Sequence, residues 1–127
     1  MTDLRTAAEA ARARAHAPYS GFHVGAALET EEGAIVTGCN VENASFGLTI
    51  CAERNAVAAA VAAGHRRFVR MALVSDAADP VAPCGACRQV LAEFGLDWTI
   101  DSFAGSQQTT WTVRELLPAA FNRDVLP

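Results

Sequence analysis

The chain has 127 residues, of which 51 % are hydrophobic, and it carries a formal net charge of −4 with a pI near 5.2. Its ten basic residues are all arginines, and this acidic balance argues against the broad basic surface that a phosphate backbone requires. The length predicts a single domain over residues 1–127, small enough to gain from oligomerisation. We expect a cytoplasmic protein without a membrane partner, because we find neither a signal peptide nor a run of about eighteen apolar residues.

The first part of the chain predicts a helix followed by a β-hairpin. Apolar side chains at helical spacing indicate a helix over residues 2–15, which Pro18 ends. Alternating apolar residues over 22–28 predict a strand, and the apolar, partly β-branched residues 34–39 predict its antiparallel partner. Residues 40–49 then form a connecting loop.

The middle of the chain predicts two helices separated by a strand. Thr49 can cap a helix that runs to about residue 63, and Gly64 supplies its stop. Residues 68–75 are a buried-strand candidate. The loop over 76–83 then leads into a helix over 84–94.

The last part of the chain predicts a strand over residues 98–103 and a short helix. Thr112 and Glu115 have the spacing of a capping box, which marks the start of that helix. Strands that alternate with helices after an opening hairpin predict an α/β protein with a mixed sheet covered on both faces.

A cluster of cysteines predicts a metal site. Cys84 and Cys87 are three residues apart at the start of a predicted helix, so both thiolates face one side, where Cys51 can join them from another helix. Structural zinc sites are closed by four protein ligands, whereas catalytic sites keep three and leave a position for water. Three cysteines therefore predict a catalytic site with one Zn²⁺ per chain. Glu53 lies two residues beyond Cys51, where it can move the protons of that water without binding the metal.

Two other interpretations of the cysteines stay open. Cys39 could close a structural zinc site as a fourth ligand, although a free cysteine at a strand end is more often a small buried residue. Such a site would belong to a zinc-stabilised binding module, and zinc-dependent turnover would exclude it. Alternatively, the four cysteines could form two disulfides, but the metal-like spacing favours reduced thiols.

The pair of motifs formed by Cys51-x-Glu53 and residues 83–87 (Pro-Cys-Gly-Ala-Cys) resembles the signature of the zinc-dependent nucleoside and nucleobase deaminases. Further stretches are similar to the small tetrameric cytidine deaminases: residues 18–28, 38–57, 83–94, 116–118 and Phe121. The resemblance covers nearly the whole chain in order. It implies a three-layer α/β/α fold with a mixed central sheet of about five strands, and a homotetramer with shared active sites.

The resemblance also implies a reaction and roles for individual residues. The reaction is hydrolytic deamination of cytidine and 2′-deoxycytidine in pyrimidine salvage, with Glu53 as the proton carrier. Arg54 would compensate the negative charge of the thiolates. The implied substrate-binding residues are Asn40 and Glu42 for the ribose, Phe22 for the pocket, the backbone at Ala52 for the base, and Phe121 from a neighbouring subunit. Without the motif, these positions would be loop polar groups and core aromatics.

Phe46 departs from the family pattern, because many members have a tyrosine there whose hydroxyl reaches across a subunit contact. That hydrogen bond is absent from this chain, although the ring can still pack.

Two related activities stay open. A polynucleotide-editing deaminase would need a basic groove, which the charge argues against. A deaminase of a modified nucleoside, such as an antibiotic, would share the chemistry and differ in its pocket contacts.

Overall fold

The computed structural model of the protein describes residues 3–127, which form a five-stranded sheet with helices packed against it. The helices and strands, in chain order, are α1 (Leu4–Arg12), β1 (Val24–Thr30), β2 (Ile35–Cys39), α2 (Ala52–Ala62), β3 (Phe68–Ser75), α3 (Gly85–Ala92), β4 (Thr99–Ala104), β5 (Gln107–Thr112) and α4 (Val113–Leu116). Short 3-10 turns lie at Phe46–Leu48 and Arg123–Val125. None of the described helices has the length and apolar character needed to span a bilayer.

The strand order in the sheet is β2-β1-β3-β4-β5. β3 and β4 run parallel, and the other three neighbouring pairs are antiparallel, so the predicted mixed sheet is confirmed. A parallel pair needs a connection that crosses one face of the sheet, and α3 lies in that connection. The loop after β3 therefore leaves the sheet at one end and returns to it through α3.

Helices cover both faces of the sheet, as the resemblance implied. On one face, the small residues Ala27 and Ala72 pack with Leu4 and Ala8 of α1. The opposite face carries the larger core, which includes side chains of β1, β3, β4, α2 and α3: Leu28, Met71, Ile100, Ala56 and Leu91. The fold is therefore a three-layer α/β/α arrangement.

Two glycines allow the helices to approach the sheet closely from opposite faces. A Cβ on Gly25 would lie 2.0 Å from the Ala8 carbonyl oxygen of α1. A Cβ on Gly38 would lie 2.4 Å from the Ala56 nitrogen and 2.6 Å from the Ala52 carbonyl oxygen of α2. Gly38 thus fixes the depth at which the first turn of α2 sits against β2.

We expect Gly38→Ala to destabilise the protein, because the added methyl group meets backbone atoms that cannot move aside as a side chain would. The free energy of unfolding should fall by at least ~1–3 kcal/mol, the range for overpacking a tight interior. Gly47→Ala is the control, since a Cβ there meets no heavy atom within 4 Å and the backbone is not left-handed. Thermal melts of both variants test this, and equal melting temperatures would contradict the close packing.

Several predicted element boundaries need correction. The first helix ends at Arg12 and not at residue 15, while residue 2 lies outside the described residues. The predicted cap Thr49 is wrong: α2 begins at Ala52, with Cys51 in the cap position. The Thr49 hydroxyl instead accepts a hydrogen bond from the Asn43 nitrogen at 3.2 Å.

The edge strand β5 is not predicted from the sequence. β5 pairs with β4 along its whole length, yet its residues Gln107–Thr112 are mostly polar and show no apolar alternation. The capping box that follows is confirmed. The Thr112 hydroxyl accepts from the Glu115 nitrogen at 3.1 Å, and the Glu115 carboxylate accepts from the Thr112 nitrogen at 2.9 Å.

Candidate active site

Two of the three predicted cysteine ligands occupy helix N-caps. Cys51 immediately precedes α2 and Cys84 immediately precedes α3, both with extended backbone angles. The first N–H groups of a helix have no intrahelical partner and give the N-terminus a partial positive charge. Both sulfurs therefore lie where the thiolate form is favoured.

The sulfur atoms of Cys51, Cys84 and Cys87 all lie within 4.8 Å of one another. Cys84 Sγ is 3.9 Å from Cys51 Sγ and 3.3 Å from Cys87 Sγ. Zinc–sulfur bonds of about 2.3 Å in a tetrahedron place the sulfurs about 3.8 Å apart. The donor set and its spacing therefore fit a zinc ion.

Cys39 is not part of this cluster. It lies directly opposite Gly25 in the β1–β2 pair, and residues opposite one another share a face of the sheet. Gly25 faces α1, so Cys39 faces α1 as well, whereas the cluster lies at the starts of α2 and α3. The interpretation of a fourth cysteine ligand does not fit this geometry.

Arg54 supplies positive charge beside the sulfurs. Its Nη2 donates to Cys51 Sγ at 3.5 Å. Contacts with Cys51 and Cys87 raise the pKa of Arg54, so the guanidinium stays charged beside the cluster. A hydrogen bond from Cys87 and then the one from Arg54 lower the pKa of the Cys51 thiol to about 5. The contact with Cys51 and burial raise the pKa of Cys87 above its usual range, so the cluster favours a thiolate at Cys51.

Glu53 lies on the first turn of α2 and is only 5 % exposed. Burial raises the pKa of its carboxyl to about 7, and the nearby Cys51 thiolate adds to this shift. A carboxyl that titrates near neutral pH can both accept and donate a proton.

A cleft of about 240 Å³ opens beside the cluster. Six of the predicted site residues line it: Phe22, Asn40, Cys51, Ala52, Glu53 and Cys84. The other lining residues, which come from β1, β3 and two loops, are not predicted as site residues from the sequence: Val24, Leu73, Thr49, Val81 and Ala82. Nothing in the sequence distinguishes these small or apolar residues from ordinary core positions.

A second cleft of about 420 Å³ adjoins the first, because Thr49 lines both. Glu42 lies here and not in the cleft beside the cysteines. Its carboxylate accepts hydrogen bonds from the backbone nitrogens of Tyr19 at 3.0 Å and Ser20 at 3.1 Å. A further hydrogen bond from the Ser20 hydroxyl lowers the pKa of Glu42, so the group is an anion on the rim of the site.

Asn40 ties the cleft to the start of β1. Its Oδ1 accepts from the Val24 nitrogen and its Nδ2 donates to the Phe22 carbonyl, both at 2.8 Å. An amide has two donor hydrogens and two acceptor lone pairs, so each end of the buried Asn40 side chain keeps one free. Asn40 therefore positions Phe22 and retains hydrogen-bonding capacity toward the cleft.

Phe121 lies away from both clefts, and its residue is 62 % exposed. Gln89 of α3 donates to its backbone carbonyl at 2.7 Å, which fixes the tail while leaving the ring uncovered. The structure thus brings the predicted site residues together, except for Glu42 in the adjoining cleft and Phe121 in the tail.

The fold and the site define a metal-binding α/β protein with an open cleft at its three-sulfur cluster. The model of the cytidine and deoxycytidylate deaminase zinc-binding region matches residues 2–100, and the chain belongs to this family. It is 48 % identical over 119 residues to a cytidine deaminase of Sporosarcina psychrophila, an alignment that covers 91 % of this chain and 87 % of that protein.

The chain is also similar to a solved structure and to a relative that is named for a different substrate. The crystal structure of a cytidine deaminase from Burkholderia pseudomallei is similar, with a TM-score of 0.91 and 48 % sequence identity, over 95 % of this chain and all of that one. A blasticidin-S deaminase of Bacillus cereus is 31 % identical over 110 residues, covering 80 % of this chain and 79 % of that protein. The implied family and fold are confirmed, and the zinc-binding character of the family agrees with the cysteine cluster.

Proposed function

We propose that the protein catalyses the zinc-dependent hydrolytic deamination of cytidine and 2′-deoxycytidine to the corresponding uracil nucleosides and ammonia, a reaction of pyrimidine salvage. The observation that carries this proposal is the open cleft lined by the buried Glu53 and by Cys51 and Cys84 of the three-sulfur cluster. The test is to incubate the purified protein with cytidine and to follow the absorbance change to uridine while bound zinc is assayed. A protein that holds one zinc per chain and leaves cytidine unchanged would contradict it.

Cys51, Cys84 and Cys87 would hold the zinc ion. When bound, zinc supplies the Lewis acidity that makes water a nucleophile at neutral pH. Three thiolates give the site a net negative charge, which weakens that effect. The N-termini of α2 and α3 and the Arg54 guanidinium withdraw charge from the sulfurs and so oppose it.

Glu53 moves the protons in this proposal. The reaction breaks the C4–N4 bond of cytosine and forms a C4–O bond, so protons must pass from water to the base and to the leaving ammonia. The Glu53 carboxylate takes one proton from water and delivers it to N3 of the ring. It then takes the proton of the hydroxyl added to C4 and gives it to the departing nitrogen, so that C4 keeps a carbonyl oxygen as the C4–N4 bond breaks. A pKa near 7 suits both directions of transfer at neutral pH.

In this proposal each of the two adjoining clefts holds one part of the nucleoside. The smaller one would hold the pyrimidine base, between the Phe22 ring and the start of α2. The backbone nitrogen of Ala52 is one of the unpaired donors of the helix N-terminus and would hold the amide edge of the base. The ribose would then lie toward Glu42 in the larger cleft and within reach of Asn40 in the smaller one.

We expect Glu42→Ala to lower kcat/KM for cytidine by roughly tenfold, because the ribose would lose a hydrogen bond to a charged group on the rim of the site. Free cytosine should be a poor substrate of the wild-type protein. Glu42→Ala should lower kcat/KM for cytosine only slightly, because cytosine has no ribose to bind. Steady-state kinetics with both substrates measure the difference. Ser20→Ala is the control, since it removes one contact to Glu42 but keeps the carboxylate. Equal losses on cytosine and cytidine would mean that Glu42 acts only through the loop at Tyr19 and Ser20.

Deamination of a modified cytosine nucleoside is the second candidate, favoured by the similarity to a blasticidin-S deaminase. The chain is more similar to cytidine deaminases, at 48 % against 31 % identity, so cytidine is the preferred proposal. Competition between cytidine and blasticidin S in one assay ranks them. Faster turnover of the antibiotic would reverse the assignment.

We further propose a homotetramer with shared active sites. Tyr19 and Phe46 line the Glu42 cleft and stay exposed, and their chain neighbourhood holds two more exposed apolar residues, Val41 and Leu48. Phe46 is 72 % exposed and makes an edge contact with Tyr19, so this face has apolar area to cover.

The cytoplasmic location and the absence of nucleic-acid and membrane partners stay predictions, supported by the reduced cysteines and the charge of −4.

A further inference from the structure

The loop over residues 76–83, which joins β3 to α3, forms one wall of the cleft beside the cysteines. Val81 and Ala82 line that cleft, and the cysteine Cys84 follows two residues later. The first residue of the loop is held by His23, which immediately precedes β1: the Asp76 carboxylate accepts from the His23 nitrogen at 2.8 Å, and the Asp76 nitrogen donates to the His23 carbonyl at 3.1 Å. The position of this wall therefore depends on contacts with the sheet.

The other end of the loop is held by α3 and by β4. Arg88 Nε donates to the Pro83 carbonyl at 2.7 Å. Ser102 Oγ donates to the Val81 carbonyl, also at 2.7 Å. Val81 is thus fixed through its own backbone at the point where it enters the cleft.

Ser102 is fully buried in β4, at 0 % exposure, on the face that carries the larger core. Its neighbour two residues earlier, Ile100, is an apolar member of that core, and residues two apart in a strand share a face. A hydroxyl at such a position is costly unless it is hydrogen-bonded. Its bond to Val81 meets this need, and Ser102 itself does not line the cleft.

We propose that Ser102 is a positioning residue for the deamination, which fixes the cleft wall by holding the Val81 carbonyl. The inference rests on the proposed function. Val81 and Ala82 add apolar residues to the lining of the cleft that Phe22 also lines, and a pyrimidine ring would be held there. A wall that moves away loosens the fit to the base, while Glu53 and the sulfurs keep their places on their own helices.

The experiment measures uridine binding to zinc-loaded Ser102→Ala by calorimetry, together with cytidine kinetics. We expect Kd for uridine and KM for cytidine to rise by about tenfold, which corresponds to ~1.4 kcal/mol for one lost hydrogen bond. The value of kcat should change much less. Zinc content should stay at one per chain.

Thr30→Ala is the matched control, because Thr30 is 1 % exposed and its hydroxyl accepts from the Ala34 nitrogen at 3.0 Å. This bond lies in the hairpin at the far end of β1, about 20 Å along the strand from Val24 in the cleft. Thr30→Ala should lower the melting temperature as Ser102→Ala does, but it should leave the uridine Kd unchanged.

Wild-type uridine affinity in Ser102→Ala, or an equal loss in Thr30→Ala, would overturn the inference. Loss of zinc from Ser102→Ala would also overturn it, because the substitution would then have displaced the proposed zinc ligand Cys84 and not only the cleft wall. If Ser102→Ala does not fold, Ser102→Cys keeps the size of the side chain with a weaker donor and should show a smaller rise in Kd. Failure of the proposed function is distinguishable, since the wild-type protein itself would then neither bind uridine nor deaminate cytidine.

Discussion

Replacing Glu53 with glutamine is expected to remove nearly all turnover while leaving the zinc site and the fold intact. The amide has the shape of the carboxyl but cannot carry a proton between water and the base. General acid–base catalysis typically contributes ~10²- to 10⁴-fold, and the loss in kcat should be at least of that size. Glu53 makes no part of the sulfur cluster, so zinc content and circular dichroism should match the wild type. A variant with a near-normal rate would rule out Glu53 as the proton carrier.

Cys39→Ser is the companion to that experiment, because it tests the number of cysteine ligands. The Cys39 side chain faces α1, and its sulfur lies outside the cluster. We therefore expect this variant to keep one zinc per chain and most of its activity. Release of the metal from Cys39→Ser would favour a four-cysteine structural site instead.

Strands buried on both faces could be predicted from the sequence, whereas the polar edge strand could not. The strand β3 was predicted over residues 68–75 and has those bounds, because an apolar run is required where helices cover both faces. The strand β5 carries threonines and glutamines, and its position is set by pairing with β4. Thr110, for example, bonds Asp101 across that pair at 2.7 Å. Such pairing depends on tertiary structure, which local propensity does not encode.

The N-cap of α2 shows why the general residue preference at helix N-caps gave a wrong prediction beside the site. Hydroxyl and carboxyl side chains are the preferred N-caps, which favoured Thr49. The structure places Cys51 in that position, and its side chain makes no capping hydrogen bond with the backbone of the first turn. The sulfur is instead directed at Cys84, so the cap position serves the cluster and not the helix.

The motif spacing predicted which residues meet in the site, but it could not predict how they are held. The three cysteines and Glu53 follow from two short motifs, since each motif lies at the start of one helix. The separation of Glu42 into its own cleft was not foreseen, because it depends on backbone donors from Tyr19 and Ser20. The contact of Ser102 with Val81 joins residues 21 apart, and a lone serine in a strand carries no signal for it.

Phe121→Ala is expected to raise KM for cytidine and to lower kcat/KM, while zinc content and melting temperature stay close to those of the wild type. The exposed ring lines neither of the two clefts of the site, and the Gln89 bond to the backbone would persist in the variant. We therefore expect the ring to close the base site of a neighbouring subunit. Full burial of such a side chain contributes ~1.5–3 kcal/mol, so kcat/KM should fall by roughly 10- to 150-fold.

Val125→Ala is the control for Phe121→Ala, because Val125 is an equally exposed apolar residue of the same tail at 60 %. It should leave KM unchanged if the effect belongs to the Phe121 ring and not to the tail in general. Light scattering gives the assembly state, and activity measured on dilution tests whether sites are shared. A tetramer whose activity falls as it dissociates would support the shared site. A fully active monomer at nanomolar concentration would exclude it, and a lower melting temperature with unchanged KM in Phe121→Ala would place the ring within its own chain.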